Sequence, residues 1–242
     1  MTGVPDSGAP APFTTAPGAS APPREKWWQS LLLALLAALA IRHFLIQAYK
    51  IPSGSMIPSL LIGDQLIASK FAYGIRLPFF STKLVHFATP GHGEIVVFRF
   101  PEDPSKDFIK RTIALPGERI RIEQGIIYVN DQPIPRQPAG VAHDGQYAGA
   151  RLYQEQWGGC SYMVQYSAAP SHPFWNMPEV QLGPDEIFVM GDNRDHSNDS
   201  RFWGTVNLDL LEGQPLFIHF SWDSEKNTVR WDRIGTGLLC GD

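Results

Sequence analysis

The stretch from Lys50 to the end of the chain consists of short runs rich in β-branched and aromatic residues, separated by Gly, Pro, Asn and Asp. With 22 Gly and 21 Pro in 242 residues, this punctuation favours many short strands joined by turns. No long amphipathic helical pattern competes with it. The sequence therefore predicts a mainly β domain over residues 50–242. The runs are DQLIASKFAYGI, GEIVVFRFP, DFIKRTIAL, RIRIEQGIIYVNDQPI, EIFVMGDN, PLFIHFSW and NTVRWDRIG.

Two parts of this domain differ in regularity. Residues 119–134 alternate between apolar and polar side chains and contain Gln124-Gly125 and Asn130-Asp131, which predicts a hairpin. Residues 136–182 are less regular, with Gly, Pro, Gln, Ser and aromatic residues, and are predicted to form a smaller inserted subdomain or long loops.

The N-terminal region has two segments of different character. Residues 1–23 are rich in Pro, Ala, Gly, Ser and Thr and carry one charge, Asp6. They contain too little apolar surface to order themselves. With the basic flank that follows, residues 1–26 are predicted to be a disordered tail. Residues 27–49 are a candidate membrane anchor helix.

The apolar run Ser30–Ile41 leaves three interpretations open. From Trp27 to Ile41 no residue is charged, but a helix of that length spans roughly 22 Å, less than the ~30 Å hydrocarbon core. An anchor helix would have to continue to Tyr49, with Arg42 reaching the far interface. A cleavable signal peptide, with Ala38-Leu39-Ala40 as its cleavage site, and a buried core helix are the alternatives.

Composition excludes several kinds of protein. The net charge of -4 and the pI near 6.0 give no sign of a nucleic-acid partner. Cys160 and Cys240 form no CxxC or Cys/His ligand pair, so a structural zinc site is not expected. Whether these two cysteines pair stays open. Histidines scattered without ligand spacing are His43, His86, His92, His143, His172 and His219.

The first candidate for chemistry is IPSGSMIPSL, residues 51–60. Two prolines and a glycine surround Ser53 and Ser55, which would hold a short side chain rigidly on a loop. A nucleophile needs such support, and so does an ordinary turn.

The second candidate is DFIKRTIALPGE, residues 107–118. In a strand over residues 108–115, Lys110 shares a face with Phe108 and small neighbours, while Arg111 lies on the other face. Desolvation there would lower the pKa of the lysine, and a shift from ~10.4 to about 7–8 takes on the order of 4 kcal/mol. A neutral lysine can accept a serine proton. The alternative is a lysine that extends from a sheet edge into water.

The third candidate is GDNRDHSNDSRFWG, residues 191–204, which directly follows an apolar strand. Its dense opposite charges predict a buried network of ion pairs, although a solvated loop is the simpler explanation. A triad of His196, Asp199 and Ser200 is not favoured, because near neighbours in one loop rarely converge on a point. A G-x-S-x-G elbow is also absent from the sequence.

In this order, behind an apolar segment, these segments resemble the bacterial type I signal peptidases, also called leader peptidases, over roughly residues 27–238. The resemblance implies a membrane-bound serine endopeptidase with a Ser-Lys dyad and no cofactor or metal. Ser55 aligns with the nucleophile and Lys110 with the general base. Ser53, with the Ser55 backbone, aligns with the oxyanion hole, and Ser197 with a serine that orients the lysine amine.

The resemblance also assigns supporting positions and substrate pockets. Supporting positions are Arg111, Asp192, Asn193, Asp199 and Arg201. Pocket positions are Ile51, Met56, Phe108 and Ile109. Departures from the family pattern are Gly91-His92-Gly93-Glu94 in place of Arg-Gly-Asp, Phe108 where tyrosine is common, and His196 where asparagine is common. They remove no catalytic group but alter the expected shape of the pockets.

The resemblance also implies particular partners and a location in the cell. The partners are signal peptides of exported preproteins, cut after small residues of A-x-A type, and the lipid bilayer. The anchor helix is retained in a bacterial cytoplasmic membrane, with a cytoplasmic N-terminus and an extracytoplasmic catalytic domain. Self-cleavage near Ala40 is a further hypothesis, testable by sequencing the mature N-terminus.

Other functions remain to be distinguished. A Ser-Lys protease with another substrate, such as a pilin-processing peptidase, fits the same residues. A self-cleaving repressor does not, because residues 1–50 contain no helix-turn-helix. A membrane-tethered β domain that binds exported peptides without cutting them would keep its function after Ser55→Ala or Lys110→Ala.

Overall fold

The structure is a computed structural model. It describes residues 27–76, 83–85, 88–143, 147–168 and 175–240, and of residues 37–44, 75–76 and 83–85 the backbone alone. The predicted tail, residues 1–26, lies outside the described residues. The chain divides into two compact units, one ending at Ala38 and the other beginning at Leu39.

The described residues form helices and strands in a mainly β arrangement. The helices are α1 (Trp27–Phe44) and α2 (Ser200–Trp203), with 3-10 helices at Arg194–His196, Leu208–Leu210 and Trp231–Arg233. The strands are β1 (Ile46–Lys50), β2 (Asp64–Ser69), β3 (Ile75–Arg76), β4 (Lys83–Val85), β5 (Ile95–Phe100), β6 (Asp103–Ala114), β7 (Arg119–Glu123), β8 (Ile126–Val129), β9 (Gln132–Pro133), β10 (Arg136–Val141), β11 (Arg151–Trp157), β12 (Cys160–Tyr166), β13 (Met177–Gln181), β14 (Glu186–Met190), β15 (Val206–Asn207), β16 (Leu211–Asp223) and β17 (Thr228–Val229).

Helix α1 ends earlier than the sequence predicts. It stops at Phe44, so the prediction of a helix that continues to Tyr49 is wrong. Residues 46–50 instead form β1, which pairs antiparallel with β2. The side chains of β1 alternate between exposed and half-buried, a period of two that a helix cannot satisfy. Among the helices of the described residues, none combines the length and the apolar character of a membrane span.

The main sheet is antiparallel throughout and positions the candidate residues. Its strand order is β1-β2-β16-β5-β6-β14-β15, with β17 paired to β16. Strand β6 lies between β5 and β14, and its successive residues 110–114 are all buried, so this part of the strand is covered on both faces. The loop 51–63 joins β1 to β2 at one edge of this sheet.

Strands β7–β13 form two smaller sheets. The predicted hairpin is confirmed: β7 pairs with β8, and β8 with β9. The turns use positive φ at Gln124 (50°), Gly125 (73°), Asn130 (49°) and Asp131 (66°), as two-residue hairpin turns of this hand require. Strand β13 completes this sheet by pairing with β7.

Residues 136–141 and 151–166 are more regular than the sequence indicates. Strands β10, β11 and β12 form an antiparallel sheet, and β11 pairs with β12 without interruption from Arg151↔Tyr166 to Trp157↔Cys160. The alternation is hard to see in the sequence because β11 buries Glu155 and leaves aromatic residues half-buried. A disulfide joins Cys160 of β12 to Cys240, which answers the question the sequence left open.

A hydrophobic cluster lies beneath the loop 51–63. Met56 and Leu60 of the loop pack with Ile51, Leu66 and Ile218, and all five are at most 4% exposed. Burial of each such side chain contributes about 1.5–3 kcal/mol. The loop that carries Ser53 and Ser55 is therefore anchored to the core at both ends.

Candidate active site

Ser55 lies on a loop that is fixed by backbone hydrogen bonds as well as by its buried side chains. The amide of Ile51 donates to the carbonyl of Asp64 (2.8 Å), and the amide of Gly63 donates to the carbonyl of Ile51 (3.0 Å). The amide of Leu60 donates to the carbonyl of Met56 (2.9 Å), and this bond closes one turn just after Ser55. The hydroxyl is thus presented from a rigid segment.

Lys110 reaches this hydroxyl from the middle of β6. Its Nζ donates a hydrogen bond of 2.8 Å to Ser55 Oγ and another of 3.0 Å to the carbonyl of Ile109. The lysine is 4% exposed, and its Nζ lies 5.3 Å from the centre of the Phe108 ring. The two residues, 55 positions apart in the sequence, therefore meet in a site that is poor in water.

The protonation of Lys110 follows from this burial. Burial lowers the pKa of Lys110 to about 8, although the carboxylates of Asp199 and Asp192 favour its charged form. Arg201 favours the neutral form through charge repulsion. At pH 7, one unit below this pKa, roughly a tenth of the amine is then unprotonated and can accept a proton from the serine.

The polar segment 191–204 folds into a buried network, and the prediction of such a network is confirmed. Asp199 Oδ1 accepts from Arg201 Nε (2.8 Å), and its Oδ2 accepts from Arg201 Nη2 (2.9 Å) and the Gly191 amide (2.9 Å). Burial alone would raise the pKa of Asp199, but Arg201 and the Gly191 amide hold it below its ordinary value. The carboxylate stays charged and caps the N-terminus of α2.

Arg111, next to the lysine, lies on the other face of β6. Its Nε and Nη2 bind the two carboxylate oxygens of Asp192 at 2.8 and 2.7 Å, and its guanidinium carbon lies 3.9 Å from the centre of the Tyr162 ring. Its Nη1 donates to the carbonyl of Gly93 (2.6 Å). This bidentate pair ties β6 to the loop after β14.

Two residues of that loop contact the serine loop directly. Asn193 Nδ2 donates to the carbonyl of Gly54 (3.0 Å), and the Asn193 amide donates to the carbonyl of Ser55 (3.1 Å). Gly191 has no room for a side chain, because a Cβ there would lie 2.4 Å from the Ser55 carbonyl oxygen and 2.3 Å from Ser197 Oγ. The two loops are therefore in close contact.

Two further serines lie near Ser55 and Lys110, the exposed Ser53 and the buried Ser197. The hydroxyls of Ser53 and Ser55 are 3.5 Å apart, and Ser53 faces the solvent side of the site. Ser197 is 3% exposed and packs against Gly191, but no hydrogen bond joins it to Lys110 in the described part of the chain. The oxyanion role of Ser53 and the orienting role of Ser197 stay predictions.

A cleft of about 600 Å³ opens beside the Ser55–Lys110 pair. All four predicted pocket residues line it, namely Ile51, Met56, Phe108 and Ile109. Other lining residues are Tyr49, Lys50, Pro52, Ser53, Gly54, Asp107, Tyr147, His196 and Asn198. The lining residues come from the end of β1, from β6 and from the loop after β14, so an extended peptide in the cleft would contact all three segments.

A third buried ion pair and one wall of the cleft have no signal in the sequence. Arg194 Nη1 and Nη2 bind the carboxylate of Glu155 on β11 at 2.7 and 2.5 Å, and Arg194 Nε donates to the carbonyl of Gly191 (3.2 Å). Arg194 is completely buried and Glu155 is 1% exposed. Only the structure brings Glu155 and Tyr147 to the site, since neither stands in a recognisable motif.

The arrangement is suited to acyl transfer. It combines a hydroxyl, a desolvated amine at hydrogen-bond distance and a cleft for a peptide. Within the described ranges, no group of three or more His, Cys, Asp or Glu side chains is arranged to hold a metal ion.

Comparisons with known proteins agree with this chemistry. Residues 24–220 match the profile of the family described as "Signal peptidase, peptidase S26". A protein of Pseudomonas aeruginosa named Signal peptidase I is 34% identical in an alignment of 228 residues that covers 87% of this chain and 78% of that protein. A protein of Synechocystis named Probable signal peptidase I-1 is 33% identical in an alignment of 213 residues that covers 85% of this chain and 84% of that protein.

A solved structure also aligns with the chain. It is the crystal structure of a signal peptidase I from Enterococcus faecalis, with 22% sequence identity and a TM-score of 0.33. The alignment covers 53% of this chain and 97% of the other.

Proposed function

This chain belongs to the signal peptidase family, peptidase S26, and is a hydrolase; on that premise we propose that it removes signal peptides from exported preproteins through a Ser55–Lys110 dyad. The observation that carries the proposal is the 2.8 Å hydrogen bond between Lys110 Nζ and Ser55 Oγ in a buried site. A serine hydroxyl becomes a good nucleophile only beside a base, and a lysine with a pKa of about 8 is such a base.

The proposed reaction is acyl transfer in two stages. Neutral Lys110 takes the proton of Ser55 as the serine oxygen attacks the scissile carbonyl, and Ser53 with a backbone amide stabilises the oxyanion. The protonated lysine then gives its proton to the leaving amine. In the second stage the lysine activates a water molecule that hydrolyses the acyl-enzyme.

Specificity for small residues follows from the cleft. An extended peptide would add as a strand beside the residues at the end of β1 and the middle of β6. Ile51, Met56, Phe108 and Ile109 would then face the side chains before the cut. In this proposal these apolar residues limit the space beside Ser55, so that small side chains at the first and third positions before the cut are preferred.

The test of the dyad is cleavage of a synthetic preprotein in detergent. We expect Ser55→Ala and Lys110→Met to abolish cleavage, because each removes one half of the proton transfer. Matched controls are Ser105→Ala and Lys106→Met, exposed residues outside the cleft, which should cleave at the wild-type rate. Equal rates for all five proteins would refute the dyad.

We also propose that α1 anchors the chain in a bacterial cytoplasmic membrane, with the N-terminus in the cytoplasm and the β domain outside. In the described part of α1, Leu31, Leu32, Leu33, Leu35 and Leu36 are 47–69% exposed. Exposed leucines in such a row are costly in water and favourable in lipid. Flanking tryptophans suit the membrane interface.

The anchor is tested by flotation of the full chain with lipid vesicles. We expect the wild type to float and the double variant Leu32→Arg, Leu36→Arg to remain in the soluble fraction, because each arginine costs about 2.5–3.5 kcal/mol in a membrane helix. The control Leu239→Arg alters an exposed leucine near the C-terminus and should float. Flotation of the double variant would reject α1 as the anchor.

A further inference from the structure

One wall of the cleft consists of two aromatic rings that the dyad mechanism does not use. The rings of Tyr147 and His196 lie with their centres 5.0 Å apart and their planes tilted by 43°. Both residues line the cleft, together with Asn198. They come from the segment between β10 and β11 and from the loop after β14, so two distant parts of the chain build this wall.

The wall is held in place from behind. His196 Nε2 and Ser167 Oγ share a hydrogen bond of 3.1 Å, and the Ser167 amide donates to Asp195 Oδ2 (2.8 Å). The His196 amide donates to the carbonyl of Asn193 (3.0 Å), and Asn193 in turn binds the carbonyl of Gly54. These bonds hold the backbone of His196 close to the loop that carries the nucleophile, and the exposed imidazole is held by its hydrogen bond to Ser167.

Tyr147 packs against the residue that precedes the nucleophile. A Cβ placed on Gly54 would lie 2.9 Å from Tyr147 Oη and 3.3 Å from its Cε2. The phenol ring thus closes the space directly beside Ser55. A side chain that enters the cleft at this point meets a rigid ring.

The position of the wall indicates which part of the substrate meets it. The residues proposed to face the side chains before the cut, Ile51, Met56, Phe108 and Ile109, come from the loop 51–63 and from β6, whereas Tyr147 and His196 come from other segments. With the first group assigned to the residues before the cut, the paired rings of Tyr147 and His196 are a separate part of the lining that is left for the residues after it. This step rests on the proposed function of the cleft.

We propose that Tyr147 and His196 form the subsite for the first residue of the leaving chain and restrict that residue to small side chains. The restriction is steric, because Tyr147 packs against Gly54 of the loop 51–63 and His196, hydrogen-bonded to Ser167, packs against the Tyr147 ring. In pockets with apolar walls, kcat/KM for substrates that differ by a methylene group differs by roughly 10–200-fold. Truncation of either ring should remove much of that difference in kcat/KM.

The experiment uses the full chain in detergent and two sets of peptides with one signal-peptide sequence. The first set varies only the residue after the cut (Ala, Val, Leu, Phe), and the second varies only the residue before it (Ala, Val, Leu). The measured quantity is the ratio of kcat/KM within each set for wild type, Tyr147→Ala and His196→Ala. A ratio within one variant does not depend on how much of that variant is folded.

We expect the wild type to favour Ala over Phe after the cut and both variants to reduce that ratio at least ~10-fold, with the ratios before the cut unchanged. Ile109→Ala should change the ratios before the cut and leave those after it unchanged, because Ile109 lines the other part of the cleft. Trp231→Ala, an aromatic residue that is 75% exposed and outside the cleft, should change neither set.

Three results would overturn the subsite. Unchanged ratios after the cut in both variants would remove these rings from substrate selection. Changed ratios before the cut alone would assign the rings to the acyl side instead. A wild type that cleaves no peptide of either set would refute the proposed function, and the subsite with it.

Discussion

Lys110 is a basic side chain at a position where a positive charge is costly. The sequence predicts its face of the strand, its aromatic neighbour and the direction of its pKa shift. The structure adds the two carboxylates, Asp199 and Asp192, that oppose the shift. These carboxylates come from a loop more than 80 positions away, so no local pattern could reveal their distance from the amine.

The first prediction concerns the pH dependence of cleavage. Because only the neutral amine accepts the serine proton, kcat/KM should rise with pH and reach half of its plateau near pH 8, the pKa of Lys110. The measurement is kcat/KM for one peptide between pH 5.5 and about 9.5. Lys106→Met, an exposed lysine on the same strand, should leave the midpoint in place. A rate independent of pH across this range would contradict a lysine base.

The second prediction concerns stability at the same residue. The folded pKa of Lys110 is about 8 and its ordinary value is 10.5, so the unfolded chain binds more protons between these pH values. Stability therefore rises with pH through this window, and below it the buried charge costs about 3 kcal/mol. Lys110→Met should raise the free energy of unfolding by up to that amount at pH 7.

Urea unfolding at several pH values measures this difference. The advantage of the methionine variant should shrink as the pH rises from 8 toward 10.5. Comparison of variant with wild type at each pH cancels the contribution of every other titrating group. A variant that is less stable than wild type at pH 7 would show that burial of the charge is not the dominant cost.

At the scale of elements, strand β6 was predictable, and the contact between β11 and the loop 191–204 was not. Alternation along β6 sends Lys110 and Arg111 to opposite faces, as the sequence predicts. The pair of Arg194 with Glu155 joins a loop to a strand 39 positions away, and a charge on β11 gives no sign that it points inward. Charged residues are seldom fully buried, so the sequence favours an exposed Glu155, which is wrong.

The third prediction tests this contact. Glu155→Gln leaves the buried Arg194 without a charged partner, which should lower the free energy of unfolding by about 3–5 kcal/mol. Because Arg194 also binds the carbonyl of Gly191, which packs on Ser55, kcat of the folded fraction should fall as well. Urea unfolding and kcat per folded molecule are the measurements.

A matched control exists for this variant. Glu123→Gln removes a carboxylate that pairs with Arg121 at 2.8 Å but is 57% exposed. Such a pair contributes little, so the change should stay within about 0.5 kcal/mol. Equal effects of the two substitutions would mean that burial does not decide the strength of the Glu155 pair.

At the scale of the whole molecule, the sequence predicts a mainly β chain with an apolar helix before it, and the structure shows both. It does not predict the end of α1, because the residues of β1 suit a helix as well as a strand until β2 is present to bind them. It also does not predict the disulfide, because pairing of two cysteines 80 positions apart depends on the fold that brings them together.

The fourth prediction concerns that disulfide. In the chain-entropy account, a bridge that closes a loop of this length contributes about 4 kcal/mol. Cys240→Ser should lower the free energy of unfolding by a similar amount, and dithiothreitol should do the same to the wild type. Urea unfolding with and without the reductant measures both effects. A response of Cys240→Ser to dithiothreitol would show that another process is being measured.

The bridge between Cys160 and Cys240 encloses the whole segment that carries the loop 191–204. A protease that nicks the backbone once at an exposed turn inside this segment would therefore release no fragment. Both pieces would migrate together on a non-reducing gel and separate only after reduction. The part of the molecule that supports the lysine is thus retained covalently even after its main chain has been cut.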